Sequence, residues 1–447
     1  MAIVSDNPTT ATPPPGSRLP IAVQTLLFSQ FRPVVLPLLR RRYGDVFTVR
    51  MAPGDRLVTI LARPEDIRTV FTGSPTVFHA GEGNAILEPV MGSHSVLLVD
   101  EDQHRRVRRL LMPAFHGAPL RGYQDLMARL AVAEVRRWPV GKVFRSHDRM
   151  HAVTLEIILQ VVFGVTDPAR LAALRPLVRQ VASVGTVTML GLFDRRLGGF
   201  GPWRRFGEAL RSLDTLLYAE IAQRRTAADL AERDDVLSRL LRVEDEGDRL
   251  TDAELRDQLV TLLLAGHETT ATTLAWTLHE LARRPAALRR AQRAADEHDE
   301  EYLTAVAKEA LRLRPVIYEV ARRLTEPVDV GGHRIPAGAV VAPAIGLVHE
   351  DPDNYPEPDD FRPERFLAGQ PAPNTWIPFG GGARRCLGAG FAQLEAAIVL
   401  GEVLRRFDVT PDRRRREHRR AHNITLVPSR GARIAVTPRS AGTRDDR

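Results

Sequence analysis

Cys386 is the only cysteine among the 447 residues of this chain, and it stands in the run Phe379-Gly380-Gly381-Gly382-Ala383-Arg384-Arg385-Cys386-Leu387-Gly388. A lone cysteine closes no internal disulfide and builds no Cys₂His₂-type zinc site. It is left as a nucleophile, a redox sensor, a single thiolate ligand to a cofactor metal, or an inert buried side chain. Its neighbours favour chemistry. Gly380, Gly381 and Gly382 permit backbone angles closed to other residues, and with Gly388 they let a flat object approach the main chain. Phe379 offers an aromatic face. Arg384 sets a permanent cation two residues before the sulfur, suited to lowering the thiol pKa and to binding an anionic group on whatever the sulfur holds. The pattern turns helical from Gly390 to Leu400, so the sulfur lies where a helix start leaves amides that stabilise a thiolate.

A second stretch constrains the fold. Thr251 to Arg284 contains no proline and opens with Thr251 followed three residues later by Glu254, the pattern of a capped central helix. Inside it, Ala265-Gly266-His267-Glu268-Thr269-Thr270 is unfavourable by propensity, the glycine costing ~1 kcal/mol. Either the threonine hydroxyls bond back to carbonyls and bend the helix, or the residues have a chemical use. Ala265 and Thr269 share one face, as do His104 and Arg108 in the helix predicted over Asp102–Leu111. A basic helical face is ordinarily a solvated one. Lys308 to Pro315 ends another helix and contains Glu309 and Arg312 at an ion-pair spacing common on any helix.

The remaining organisation is that of one domain, 19–438, between a disordered segment 1–18 and a flexible tail 439–447. Hydrophobic content of 44% with 26% charged residues supplies ample core, and no linker divides the chain. Residues 1–17 are too polar and proline-rich for a signal peptide. Leu19 to Leu39 is interrupted by Arg32, Pro33 and Pro37 and runs into Arg40-Arg41-Arg42, which predicts an amphipathic surface segment, with loose membrane contact left open, and no transmembrane anchor. Val46–Met51 and Leu57–Leu61 predict a hairpin about Pro53-Gly54-Asp55. Thr76 to Val99 is an apolar loop including Ile86 and Leu87, either a binding loop or core filling. Leu120 to Leu241 reads as helices, with an apolar turn at 184–190 that faces a cavity or a helix seam. Strands are expected at Val316–Leu324, Val328–His333 and Val340–Ile345, then a hairpin of Asn423–Val427 with Arg433–Val436. Arg413–Arg416, with Arg419 and Arg420, reads as a solvated turn. The net charge of +8 rests almost wholly on arginine, spread without an aromatic platform or known motif, so nucleic acid is not the partner.

The cysteine loop resembles Phe-x-x-Gly-x-Arg-x-Cys-x-Gly, the haem-binding signature of the cytochrome P-450 monooxygenases, at every specified position. Ala265 to Thr270 is similar to that family's distal-helix motif, and Glu309-x-x-Arg312 with Phe361-Arg362-Pro363-Glu364-Arg365-Phe366 resembles its charged elements. The resemblance runs from about Leu39 to Pro438. It implies a mainly α cytochrome P-450 fold with small β-sheets, in a soluble, bacterial-type member. It also implies one haem b (iron protoporphyrin IX) with Cys386 as axial ligand of the iron. By the same resemblance His104, Arg108 and Arg322 meet the haem propionates, Arg323 being the alternative to Arg322, while Phe379, Arg384, Gly388 and Ala265 complete the haem site. Thr269 would hydrogen-bond bound dioxygen and Glu268 would supply protons. Glu309, Arg312 and Arg365 would form a buried network fixing the cysteine loop. Ile317 and Tyr318 would face substrate beneath a hairpin tip at Leu426.

The activity so implied is insertion of one atom of O₂ into an apolar small molecule of terpenoid, fatty acyl, steroid or polyketide type. No Gly-x-Gly-x-x-Gly is present, so electrons from NAD(P)H would arrive through a separate ferredoxin and ferredoxin reductase. Arg105, Arg106, Arg109 and Arg385 would form the basic docking surface. A cytoplasmic monomer is expected. The alternatives are a non-catalytic haem sensor or carrier on the same fold, and a peroxide-driven enzyme; the acid–alcohol pair Glu268–Thr269 speaks against both.

Overall fold

A computed structural model describes residues 14–182 and 201–439. The apolar turn at 184–190, most of the break at 197–202 and the tail from residue 440 lie outside the described residues. The central helix spans Asp252–Leu281, and its start is closed by a capping box: Thr251 Oγ1 accepts from the Glu254 amide at 3.2 Å while the Thr251 amide donates to Glu254 Oε2 at 2.9 Å. Both ends are thus set by local chemistry, Pro285 opening the next helix. Its flanks carry Leu255, Leu259, Leu263, Leu274 and Leu278, all fully buried in the main core. Helix Ser146–Ile157 runs on into a wider π-helical turn, Ile158–Val162, which passes the central helix at Gly266, where a Cβ would lie 2.7 Å from Ile158 Cδ1. The unfavourable glycine is therefore the price of a close helix crossing.

The larger sheet stands beside this helical body. Val46–Met51 pairs antiparallel with Arg56–Leu61, from Val46 opposite Leu61 to Met51 opposite Arg56, as the sequence led one to expect. Val340–Pro343 adds in parallel, then Arg322–Leu324 and Phe78–His79 antiparallel. The strand expected over Val316–Leu324 shortens to Arg322–Leu324, because the segment before it bonds elsewhere: Val316 O accepts from the Leu426 amide at 2.8 Å. The next expected strand splits at Gly331 and Gly332, both at positive φ, into Val328–Val330 and His333–Ile335.

The C-terminal hairpin is differently built from the one expected. Thr425–Pro428 pairs with Arg419–His422 around Asn423 and Ile424, while Arg433–Pro438 joins Phe407–Pro411 and Phe144–Arg145. Glu417 causes the separation. Its carboxylate accepts from the amides of Arg430 at 2.7 Å, Ala432 at 3.2 Å and Arg433 at 3.0 Å, turning the chain away. Arg419, expected in a solvated turn, is a strand residue paired with Glu350.

At the N-terminus, the segment expected to lack structure through residue 18 is pinned at its end. The Thr48 amide donates to Pro15 O at 2.8 Å and the Ser17 amide to Thr48 O at 3.2 Å. A helix follows over Ile21–Tyr43, kinked at Phe31 just before Pro33, whose ring and missing N–H interrupt the ladder.

One buried charge pair ties these parts together. Arg312 makes a two-pronged contact with Glu309, 2.8 Å from Nε and 2.9 Å from Nη2, and neither side chain reaches solvent. Arg312 also donates to the carbonyls of His349 at 3.0 Å and Asp360 at 2.9 Å, and Glu309 accepts the Arg362 amide at 2.9 Å. Arg365 sits at the rim, 3.5 Å from Glu309 and donating to Glu357 O at 2.8 Å. Removing either central partner strands a buried charge, so Glu309→Ala and Arg312→Ala should each lose ~3–5 kcal/mol in urea unfolding. Arg365→Ala should lose only about 1 kcal/mol, as expected of a rim pair. Equal losses in all three variants would place Arg365 in the centre, and no loss in any would dissolve the network.

Candidate functional site

The cysteine loop is shaped by contact with helix Pro64–Thr72. Gly380 and Gly382 sit at φ 64° and 63°, and a Cβ on Gly381 or Gly382 would collide with Phe71. Gly381 and Gly382 make the close approach to this helix, whereas Gly380 and Gly388 have nothing within 4 Å of where a Cβ would stand. Gly388, two residues from the sulfur, thus leaves open space beside it. Within the loop the Cys386 amide donates to Phe379 O at 2.9 Å, and Phe379 meets Trp376 edge-on at 5.8 Å between ring centres. The Cys386 residue is exposed, yet the protein packed around its sulfur pushes the thiol up, against the Gly388 amide and the charges of Arg108 and Arg385, which pull it down. The expected helper, Arg384, is engaged elsewhere: it donates to Val99 O at 2.6 Å, to Val96 O at 3.2 Å, and to Asp100.

The loop is connected to the buried charge pair through His349, which the sequence did not single out. Its carbonyl takes Arg312, its ring Nε2 accepts the Ile377 amide at 3.0 Å, and Ile377 O accepts the Gly380 amide at 3.0 Å. Burial, then the Arg312 charge, holds its pKa down to about 3, so the ring is neutral and can accept.

Four basic side chains converge near the loop. Arg322 is brought down to about 10, first by burial and then by the Arg384 charge. Arg384 is also brought down to about 10, first by burial, with Arg108 adding to it against the opposing pull of Asp100. His104 falls to about 3 through burial and then the charges of Arg384, Arg108 and Arg322, with only Asp100 opposing. Asp100 is itself shared with the amides of Gly81 at 2.9 Å and Glu82 at 3.1 Å. This surplus of buried positive charge suits a ligand edge bearing two carboxylates. Of the adjacent pair, Arg322 is the inward residue; Arg323 is exposed and bonded to Glu82 at 2.9 Å.

Across the site, the central helix leaves Ala265 exposed between half-buried Leu264 and Gly266. Thr269 Oγ1 donates to Ala265 O at 2.7 Å, so its hydrogen is committed and its lone pairs remain as acceptors. Glu268 Oε1 accepts from His422 Nδ1 at 2.9 Å and Thr425 Oγ1 at 3.0 Å. Burial alone would raise its pKa; these two bonds and the His422 charge outweigh it, and the net shift is downward. His267 is a satisfied interior residue, with Nδ1 donating to Leu263 O at 2.7 Å. It stands edge-on to His151 at 5.5 Å, which in turn meets His147 at 4.4 Å. Next to Thr270 lies Glu395, fully buried, with neither oxygen hydrogen-bonded among the described residues. Burial raises its pKa well above the carboxylate range, and Thr270 is the only opposing influence. His422 and Glu395 were missed because their partners lie far away in the chain.

The expected substrate-facing residues divide. Ile86 and Ile317 are half-buried and open on one side. Leu87 belongs to the main core. Tyr318 is fully buried, with its hydroxyl 3.4 Å from Glu350, because successive residues of extended chain point to opposite faces and Ile317 takes the open one. Leu426 likewise packs inside with Leu36 and Phe47, and the exposed hairpin tip is Ile424. The expected basic docking surface is partly consumed by ion pairs. Arg106 braces Asp248 and Glu254 at the start of the central helix, Arg109 pairs with Asp245 and Arg105 with Asp102.

The profile of the cytochrome P450 family matches residues 13–435. The chain is 48% identical over 427 residues to cytochrome P450 135A1 of Mycobacterium tuberculosis, covering 95% of each. It is 46% identical over 430 residues to cytochrome P450 135B1 of Mycobacterium bovis, covering 95% of this chain and 91% of that one. Among solved structures, the retinoic acid-bound cyanobacterial CYP120A1 superposes with a TM-score of 0.84 at 24% identity, covering 96% of this chain and all of that one, a likeness of fold.

The buried histidines give a pH dependence of known sign. His104 and His349 are held down to about 3 and His147 to about 4, each by burial first. Below the unfolded value of about 6.5 the unfolded chain takes up protons that the folded chain refuses, so stability falls as pH drops from there toward 4. Each histidine should contribute a slope of ~1.4 kcal/mol per pH unit in that window. Urea midpoints between pH 8 and 5 should be flat and then decline, and His147→Gln should reduce the slope by one proton. A slope unaltered by that substitution would show that His147 is charged in the folded protein.

Proposed function

The chain belongs to the cytochrome P450 family and is a haem-thiolate monooxygenase, and we propose that it inserts one oxygen atom, by hydroxylation or epoxidation, into an apolar substrate. Terpenoid, fatty acyl, steroid and polyketide-like compounds all fit the half-buried apolar side chains of Ile86 and Ile317. Cys386 would be the axial ligand to the iron of haem b. Arg108, Arg322 and His104 would face the propionates, with Arg384 and Asp100 setting the charge around them, and Phe379, Gly388 and Ala265 would border the ring. Haem bound there supplies the capture and reductive splitting of dioxygen.

The protein's share is positioning and protons. Ala265, with no side chain beyond Cβ, leaves room against the central helix, and Thr269 offers lone pairs there to a proton-bearing group. Glu268 would pass protons to that place. The observation that carries this reading is the Glu268–His422 contact at 2.9 Å, which holds an ionised carboxylate inside the protein one residue before the Thr269 hydroxyl. The His422 side chain is 34% exposed. It can take a proton from water on one ring nitrogen and give one to Glu268 from the other.

Electrons from NAD(P)H would come through a ferredoxin and its reductase, docking where Arg385 is exposed near the thiol. A monomer in the cytoplasm, where a lone thiol stays reduced, completes the proposal. A sensor or carrier has no use for a proton path, which ranks that reading second.

The test compares four variants of the haem-loaded protein with a substrate that shifts the haem spectrum. Cys386→Ala should abolish the red-shifted Soret band of the reduced carbon monoxide complex. Thr269→Ala should keep that band but divert most electrons to hydrogen peroxide. Glu268→Gln should slow turnover by ~10²–10⁴-fold, and His422→Phe by about tenfold with an enlarged solvent isotope effect. Unchanged coupling and rate in the last three would favour the carrier.

A further inference from the structure

The helix Ile21–Tyr43 packs Leu36 into the core, with Phe28, Leu39 and Tyr43 against it, yet leaves much of its apolar surface outside. Its buried residues include Gln24 and Arg32, whereas Leu19 just before it and Val23, Leu26, Phe31, Val34 and Leu38 within it are exposed. Val34 is 62% and Leu26 58% exposed. The outward positions recur at helical spacing, so they form one continuous apolar stripe. The polar inward residues are tied to the body: Gln24 accepts the Arg50 amide at 2.9 Å, and Arg32 bonds Glu319 and, at 3.1 Å, Asn423 O, its Nε alone lacking a partner among the described residues. That last bond joins the inward face of the helix to the hairpin tip, next to exposed Ile424. Water is the wrong solvent for such a face.

Charge identifies the right one. The helix contains no acidic residue. Arg18 stands before it and Arg41 and Arg42 near its end, all exposed and without an ion pair among the described residues. By length and composition it could cross a bilayer, but the kink at Phe31, Pro33 and Pro37, and the bonds from Gln24 and Arg32 to the body, hold it flat. We propose that this helix, with Ile424, is a docking surface for an anionic lipid bilayer, lying in the interface with its apolar stripe among acyl chains and its arginines at the headgroups.

Haem-loaded, full-length protein is co-sedimented with vesicles of phosphatidylcholine alone and with about 30 mol % phosphatidylglycerol. Partitioning should be about tenfold stronger on the anionic vesicles and weaken with salt. Val34→Asp with Leu38→Asp should lower it at least about tenfold, and Arg41→Glu with Arg42→Glu should remove the anionic preference. An unchanged carbon monoxide spectrum in each variant confirms that the fold is intact; the arginine pair, being fully on the surface, keeps the test available if the aspartates unfold the helix. Pelleting no greater than without vesicles, or equal on both lipids, overturns the proposal. So does a dimer in sedimentation velocity that the aspartates dissociate without any vesicle binding, which would give the stripe to a second copy of the chain.

Discussion

The Glu309–Arg312 pair is the contact that the thiol's position depends on. Two opposite charges with no access to water carry a large desolvation cost, and it is offset only because every prong of the guanidinium is used. Those prongs reach His349 and Asp360, which belong to two separate segments and are thereby tied to one helix. His349 then hands the constraint on by accepting the Ile377 amide, and Ile377 passes it to Gly380. A neutral pair of the same shape could fill the space. It would not fix the direction of so many hydrogen bonds.

On the other side of the thiol the logic is reversed, since charge there is left uncompensated. Arg322 and Arg384 are lowered to about 10 and so remain charged at neutral pH, with Asp100 as their principal counter-charge. Held repulsion of this kind is relieved by an anionic ligand, so ligand binding and folding stability are linked. One charge pair ties the loop down; the other cluster gathers positive charge that suits an anionic ligand. The two requirements pull the sequence toward arginine for different reasons: a fork of directed donors in Arg312, and a cation that burial cannot neutralise in Arg322 and Arg384.

What the sequence disclosed was local. Glycines at positive φ beside Cys386, the capping box at Thr251 and the hairpin from Val46 to Leu61 are each decided by residues within a few positions, and each was legible. Choosing Arg322 over Arg323 required knowing which face of a strand is inward, and a three-residue strand offers too little alternation to tell. The same ambiguity of facing misplaced Tyr318, which lies in the chain before the strand, and Leu426, whose strand Thr425–Pro428 is buried at all four residues. His349, Glu395 and His422 were illegible for another reason. Each is ordinary in its own segment and acquires meaning from a partner across the fold.

The distal helix shows why the bland and the chemical readings of its threonines are not rivals. Thr269 does bond back to Ala265 O, as a threonine that merely bends a helix would. That bond also fixes which way the hydroxyl faces and leaves it only lone pairs to offer. A hydroxyl free to rotate could donate or accept, and would hold a protonated partner no better than an unprotonated one. Beside it, Glu268 is turned the other way, toward Thr425 and His422. Adjacent residues on a helix point about 100° apart, so one looks toward the open face at Ala265 and the other toward the hairpin. On the proposed reading, proton supply and proton acceptance are thereby kept on different faces, and a proton would cross between them only if Glu268 swung or water bridged the gap. The geometry that makes Glu268 a poor partner for Thr269 at rest would then keep protons from entering unbidden.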